Sequence, residues 1–478
     1  MSARFNVRSG GVHQLSPRAH RLVGNSEGAE GEQERAPHDD QDDDHPNQKM
    51  TMRGPLPFVA FLLFPTLLSA QQLPDPAALR TRAKGMVDTL ASPEFHGRGY
   101  VLNGGGIAAD WIEARFKKIG LQPLKEGYTE PFTFDVNTFP EPVRFSVEGK
   151  ELRPGIDFLV DPASGKAEGR YELVHLTMDD LLTPERRRIT LSVVVNKAMI
   201  LEFPRTSNAD SLKLYAEWED EMVNYGPVIR VNHGKLTWSV ARHALPNAVV
   251  EVLPGLVSDS ATTVDLSVKN TFVRQYKARN VWGVVKAKSK TKDWVLVTAH
   301  YDHLGHMGPD VLFPGANDNA SGVSMLITLA EWFKKHPAKV NLLFVAFAGE
   351  EAGLVGSEWF VVDRPMDLST IKQVVNLDLN GTGEEGITVV NAVEQKATFD
   401  QLVAINAKGQ RLAQVKPRGP ACNSDHCSFT KRGIPGIFIY TMGGISAYHD
   451  VNDKPETLPL TEFGDLALDL IELVQGVK

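Results

Sequence analysis

The sequence predicts an α/β protein with a mostly parallel central sheet flanked by helices, interrupted by a β-rich inserted domain. Three observations carry that expectation. From residue 271 onward, apolar runs of strand length alternate with helical stretches, as expected of strands buried on both faces and covered by helices. Residues 126–270 have another texture, with short β-type runs broken by Pro, Gly and Asp/Ser turns. The residues that end the apolar runs after 271 are repeatedly His, Asp or Glu, and an open α/β sheet binds its ligands beyond the carboxyl ends of its strands.

The elements can be justified in chain order. Residues 1–49 hold nine acidic and six basic residues, including "PHDDQDDDHPNQ", and few large apolar ones. Such a segment cannot bury enough surface to offset its ordering entropy, so a solvated tail is expected. Residues 50–70 follow the layout of a secretory leader: Arg53, an apolar stretch over 56–68, and "LSA" before Gln71. That stretch is too short and too broken by proline to span a bilayer. We therefore expect the chain proper to start at Met50 or Met52, and to be exported after cleavage near Ala70, with no stable membrane anchor.

Residues 71–125 are read as the first part of the main domain. Helical segments surround a Gly-rich turn, "HGRGYVLNGGG", with Ile107, Trp111, Ile112, Ala114 and Phe116 on the apolar face and Gly120 as C-cap. No Lys-Ser/Thr follows those glycines and no buried strand precedes them, so a flexible turn is favoured over a phosphate loop. The insertion, 126–270, has no cluster of ligand-type residues; shaping or covering a neighbouring site is its expected role. In 271–478, "WVLVTA", "NLLFVAFA", "VVNLDL" and "GIFIYT" read as buried strands. "SGVSMLITLAEWFKKH" reads as a helix with Val323, Leu326, Ala330 and Phe333 inward, and "EFGDLALDLIELVQGV" as a closing amphipathic helix.

Composition narrows the function. A formal net charge of −8, without any Lys/Arg-dense stretch, argues against a nucleic-acid footprint. Hydrophobic residues make up 42% of the chain, ample for a large core, and no repeat of fixed period is present. Cys422 and Cys427, in "ACNSDHCSF", fit one short-loop disulfide of an exported protein; free thiols or a Cys/His site with His426 are the alternatives.

The strand ends carry the chemistry. His300 and Asp302 follow "WVLVTA", Glu350 and Glu351 follow "NLLFVAFAG", Asp378 follows "VVNL", and His449 follows "GIFIYTMGG" through a short loop. Asp318, in "GANDNASG", stands just ahead of the first helix after His300. Singly, Asp318 could cap its helix, the Glu pair could be a solvated turn and His449 a surface residue. Asp378 is harder to dismiss, because a carboxylate beside so apolar a strand is costly unless paired or metal-bound. Together, at equivalent topological places, the five describe a metal centre. Three carboxylates and a hydroxide carry about four negative charges, matching two divalent cations, and mixed imidazole and carboxylate ligation suits zinc, with cobalt or manganese as substitutes.

"HYDHLG", "GANDNASG", "GEEAGLVGS", "NLDLNG" and "AYHDVNDKPE" together resemble the successive motifs of the M28 family of co-catalytic zinc peptidases, which includes secreted leucyl-type aminopeptidases. The likeness covers about 71–125 and 271–478, with "LASPEFHGRGYVLNGG" and "SDHCSFTKRGIPGIF" resembling flanking segments, and the insertion more loosely resembles a protease-associated domain. It implies the zinc-peptidase fold with two Zn2+ per chain. His300, Asp318, Glu351, Asp378 and His449 would be ligands, Asp318 bridging the two ions. Glu350 would be the general base, and Asp302 the carboxylate that holds His300. The implied activity is removal of N-terminal residues from peptides by metal-activated water. A carboxypeptidase or dipeptidase with the same centre is the alternative, and a zinc-binding module without catalysis is less favoured. His303 and His306 are expected outside the ligand set, and Tyr440, Met442 and Tyr448 near the substrate pocket.

Overall fold

The computed structural model describes residues 72–477, so the expected tail and leader lie outside the described residues. Among the described residues, no helix is long and apolar enough to cross a membrane.

The apolar runs become strands, as their two-sided burial requires. The first sheet has eight strands in the order Thr129–Thr138, Thr271–Val285, Asn341–Phe347, Trp294–His300, Ile371–Leu377, Gly436–Thr441, Ile387–Val390 and Val415–Pro417. Four central strands, from Asn341–Phe347 to Gly436–Thr441, run parallel. Antiparallel pairings extend the sheet on both sides, to Thr271–Val285 and to Ile387–Val390. Every residue of Asn341–Phe347 is buried. Its side chains alternate between faces: Leu343, Val345 and Phe347 join a cluster with Phe360 and Phe429, while Leu342, Phe344 and Ala346 are covered from the other side.

Val355–Asp363, which carries Phe360, and His426–Thr430, which carries Phe429, pack together on the first of these faces. The helices Pro76–Leu90, Gly104–Ile119, Gly322–Lys335 and Phe463–Gly476 pack among themselves, and Gly322–Lys335 lies against the central strands. Val323, Leu326, Ala330 and Phe333 are buried as the 3.6-residue period predicts. In Gly104–Ile119 the inward face is Ala108, Ala109, Ile112 and Phe116, with Ala114 exposed and Ile107 and Trp111 half-buried. Small alanines allow close approach there, a preference that ranking by apolar size misses. Gly120 caps this helix at φ 81°, donating to Phe116 O and Lys117 O.

The inserted region builds a second eight-stranded sheet from residues 144–268. Thr129–Thr138 falls within the bounds 126–270 expected for the insertion but pairs with Thr271–Val285 in the first sheet, because a change of sequence texture does not report which sheet a strand joins. The region also holds the helices Pro184–Val193 and Ala209–Met222, and Ala167–His175, Ala198–Leu201, Val228–Val231 and Val249–Val252 run parallel. The two sheets belong to one compact unit. Leu304, Met307, Val311 and Phe313, from the loop after His300, are buried in the core of the second sheet.

Candidate metal centre

Each of the seven residues singled out from the sequence lies at or just beyond a strand end of the first sheet or in a loop leading from it. His300 is the last residue of its strand, and Asp378 follows Ile371–Leu377 directly. Glu350 and Glu351 occupy the turn after Asn341–Phe347, Asp318 the turn before Gly322–Lys335, and His449 the loop after Gly436–Thr441. Parallel neighbours therefore deliver them to one edge.

The side chains form two groups that share one carboxylate. His300 Nε2 is 3.4 Å from both Asp318 Oδ1 and Asp378 Oδ1. His449 Nε2 is 3.1 Å from Asp318 Oδ2 and 3.3 Å from Glu351 Oε2. Asp318 thus turns one oxygen to each imidazole. A ring nitrogen facing a carbonyl must carry the proton: His300 Nδ1 faces Asp302 O at 3.1 Å, and His449 Nδ1 faces Trp238 O at 3.0 Å. That leaves both Nε2 atoms turned toward carboxylate oxygens. Asp318 Oδ1 and Asp378 Oδ1 are buried without a hydrogen-bond partner, a costly arrangement unless a positive charge is shared between them.

The electrostatics agree. Burial disfavours the charged imidazole of His300, yet Asp378, Glu350 and Asp318 outweigh it and hold the ring well above its ordinary pKa. His449 is held up likewise, by Glu351 and Asp318 against burial. A field that favours an extra proton on each ring also favours a divalent cation in that proton's place. Three sets of ligand atoms lie close enough to hold an ion: His300, Asp318 and Asp378; His300, Glu350 and Glu351; and His303, Asp318 and Glu351.

Burial raises Glu350 well above the usual carboxylate range; His300 opposes the shift, and Glu351, Asp425 and Asp378 add to it. Asp302 departs from its expected part. Its Oδ1 is 3.9 Å from His300 Nδ1, too far for a hydrogen bond, and its main-chain carbonyl meets the ring instead. The carboxylate accepts from Tyr100 Oη at 2.6 Å and from the amides of Glu350 and Glu351 at 3.2 and 3.3 Å. It holds the Glu350–Glu351 turn, because that turn presents two unpaired amides where the ring presents only one.

Four further residues support the centre; of these, only His303 was singled out from the sequence, as a residue outside the ligand set. Arg98 is fully buried and donates to the carbonyls of Leu90, Tyr301, Pro314, Gly315 and Asp318. The "HGRG" stretch read as a flexible turn is therefore a fixed one. Asp453 accepts from the amides of Asn317 and Asp318 at 2.7 and 2.9 Å, so the Asp318 turn is gripped on both sides. His303 is buried, with Nδ1 2.9 Å from Glu351 Oε1. Ser424 donates to Asp378 Oδ2 at 3.0 Å from the loop closed by the Cys422–Cys427 disulfide. A lone arginine or aspartate in a loop has no periodicity to flag it; for His303 the signal was its place in "HYDHLG".

A cavity of about 290 Å³ opens onto the two groups. Asp318, Glu350, Glu351 and Asp378 line its floor with His300 and His449, and Phe438, Tyr440, Tyr448, Leu379, Asn423 and Arg418 form the rest. Tyr440 and Tyr448 are where the sequence suggested; Met442 is not in the lining and accepts from Thr388 Oγ1.

Residues 280–474 match the family model described as Peptidase family M28. The chain is 32% identical over 204 residues to aminopeptidase YwaD of Bacillus subtilis, covering 40% of this chain and 43% of that one. It is 30% identical over 208 residues to a probable leucine aminopeptidase of Arthroderma otae, covering 41% and 57%. The chain thus spans about half the length of these curated relatives. Among solved structures, the zinc aminopeptidase BSAP of Bacillus subtilis shares the fold at a TM-score of 0.61 and 19% identity, covering 83% of this chain and 94% of that one. A peptidase M28 precursor from Shewanella amazonensis does so at 0.62 and 16%, covering 84% and 97%.

Proposed function

We propose that this chain, which carries a peptidase family M28 domain, is a zinc-dependent aminopeptidase with two zinc ions in its centre. One observation carries the reading: two imidazoles, each with its Nδ1 on a carbonyl, turn Nε2 toward opposite oxygens of the single carboxylate Asp318. His300, Asp318 and Asp378 would hold one ion; Asp318, Glu351 and His449 the other. The relatives named aminopeptidase support the substrate class.

Zinc held there supplies Lewis acidity, which polarises a carbonyl and lowers the pKa of water. The chain's own residues do the rest. Glu350 lies beside His300 and faces the cavity, so its carboxylate would accept the proton of the attacking water and return it to the departing amine nitrogen. A carboxylate whose proton affinity is raised by burial suits that exchange near neutral pH. The acidic floor attracts the substrate's terminal ammonium, and Phe438, Tyr440 and Tyr448 bound the space for its side chain.

A second reading, a dipeptidase or carboxypeptidase, is favoured by Arg418 alone. Its guanidinium lines the cavity with a single hydrogen bond, 3.3 Å to Tyr440 Oη, and could take a substrate carboxylate. The leader-like segment 50–70 and the disulfide support export as part of the proposal. Metal analysis of the purified chain tests the centre: two zinc ions per chain, removed by chelator, are expected. One ion or none would overturn the paired reading.

A further inference from the structure

The five ligand candidates come from strand ends and loops of the first sheet, but the group that fixes one of them does not. Trp238, in the inserted region, makes two main-chain hydrogen bonds with His449: its amide donates to His449 O at 2.8 Å, and its carbonyl accepts from His449 Nδ1 at 3.0 Å. Three residues earlier, Lys235 Nζ donates to Ser446 O at 2.7 Å and Tyr448 O at 3.2 Å and pairs with Asp450 at 2.5 Å. The segment carrying His449 is thus gripped at 446, 448, 449 and 450 by two residues of the second sheet's connecting loop.

That grip has something to hold against. His449 sits at φ 52°, a left-handed conformation that a non-glycine residue keeps only when its surroundings impose it. Gly443 and Gly444, also at positive φ, leave the approach to it permissive. Trp238 itself is anchored. It is buried, its Nε1 donates to Val160 O at 2.8 Å, and its ring stacks on Phe313 at 4.8 Å. Phe313 lies five residues before Asp318, so the same contact ties the strap to the turn bearing the shared carboxylate.

We propose that residues 235–238 are a positioning strap, through which the inserted region completes the metal centre. By accepting from Nδ1 the Trp238 carbonyl fixes the tautomer and tilt of His449, leaving Nε2 free toward Asp318 and Glu351. Groups of this kind behind a ligand imidazole change metal affinity by about ten- to a hundredfold. The strap also seats Tyr448, which stacks on His449 at 4.0 Å and lines the cavity. This rests on the zinc reading above.

The test measures zinc affinity of the full chain by competition with a chromogenic chelator, alongside the unfolding midpoint after chelation. Lys235→Ala, at a half-exposed side chain, and Trp238→Ala should each weaken one zinc by about tenfold or more. Lys235→Arg, which keeps a donor, should restore much of that loss. Lys197→Ala, which breaks the ion pair with Glu172 elsewhere in the insertion, should leave affinity as it was. Variants that lower the midpoint but bind both zincs as tightly as the parent overturn the strap and leave the zinc reading intact. A parent chain that binds no zinc overturns both.

Discussion

Glu350 and Glu351 are adjacent yet meet different partners. Glu351 reaches His303 and His449, whereas Glu350 faces the cavity. Glu350→Ala should therefore keep its zinc while losing roughly a hundredfold or more in rate; a variant that turns over normally would remove Glu350 from the role of base. Asp378→Ala should instead lose metal, visible as reduced zinc content, since its unpartnered Oδ1 faces His300. Glu130 lies outside the centre but titrates with folding. Burial pushes it from 4.5 up to about 7, against the Asn280 hydrogen bond. The folded chain then holds a proton that the unfolded chain releases, so this stabilisation is complete below about pH 4.5 and is lost as pH rises through about 7. Glu130→Gln should unfold at a higher temperature than the parent at pH 8, with the difference shrinking by pH 5. A pH-independent difference would refute the titration. His300, Glu351 and Asp378 were legible because they sit at or just past the ends of near-continuous apolar runs, and Asp318 and His449 because they stand in short motifs just before a helix and just after such a run. Arg98, Asp453 and Trp238 were not, because each acts through hydrogen bonds to or from another segment's main chain, which no local pattern announces.

The element that most directly supports Asp378 is the loop between Cys422 and Cys427. Asn376 donates to Ser424 at 2.8 Å, and Ser424 to Asp378, so the loop braces the strand end and the carboxylate together. Asp425 in the same loop is buried, and burial pushes it up to about 7. Replacing both cysteines with alanine should cost about 2 kcal/mol for so short a loop in the chain-entropy model. Zinc affinity should weaken with it; unchanged affinity would show that Ser424 holds its place without the bridge. Elements also mark where sequence reasoning stopped. The buried strands and the Gly322–Lys335 helix follow from hydrophobic period, but Thr129–Thr138 does not declare its sheet. The inward face of Gly104–Ile119 depends on which neighbour presses against it.

At the scale of the molecule, two eight-stranded sheets form one unit, and the loop after His300 threads into the second sheet's core. The insertion is therefore joined to the centre through Leu304, Met307 and Phe313 as well as through the Trp238 strap. Its role as a cover was an expectation from texture alone; its contact with His449 joins residues far apart in the chain, which no local pattern announces. The central claim is that the centre cleaves peptides at a free amino terminus using zinc. It is tested most directly by hydrolysis of a leucyl chromogenic amide beside its N-acetylated twin, before chelation, after it, and after zinc is returned. The account predicts cleavage of the free-amine substrate alone, lost with chelator and restored by zinc. Equal cleavage of both substrates, or activity that survives chelation, would contradict it.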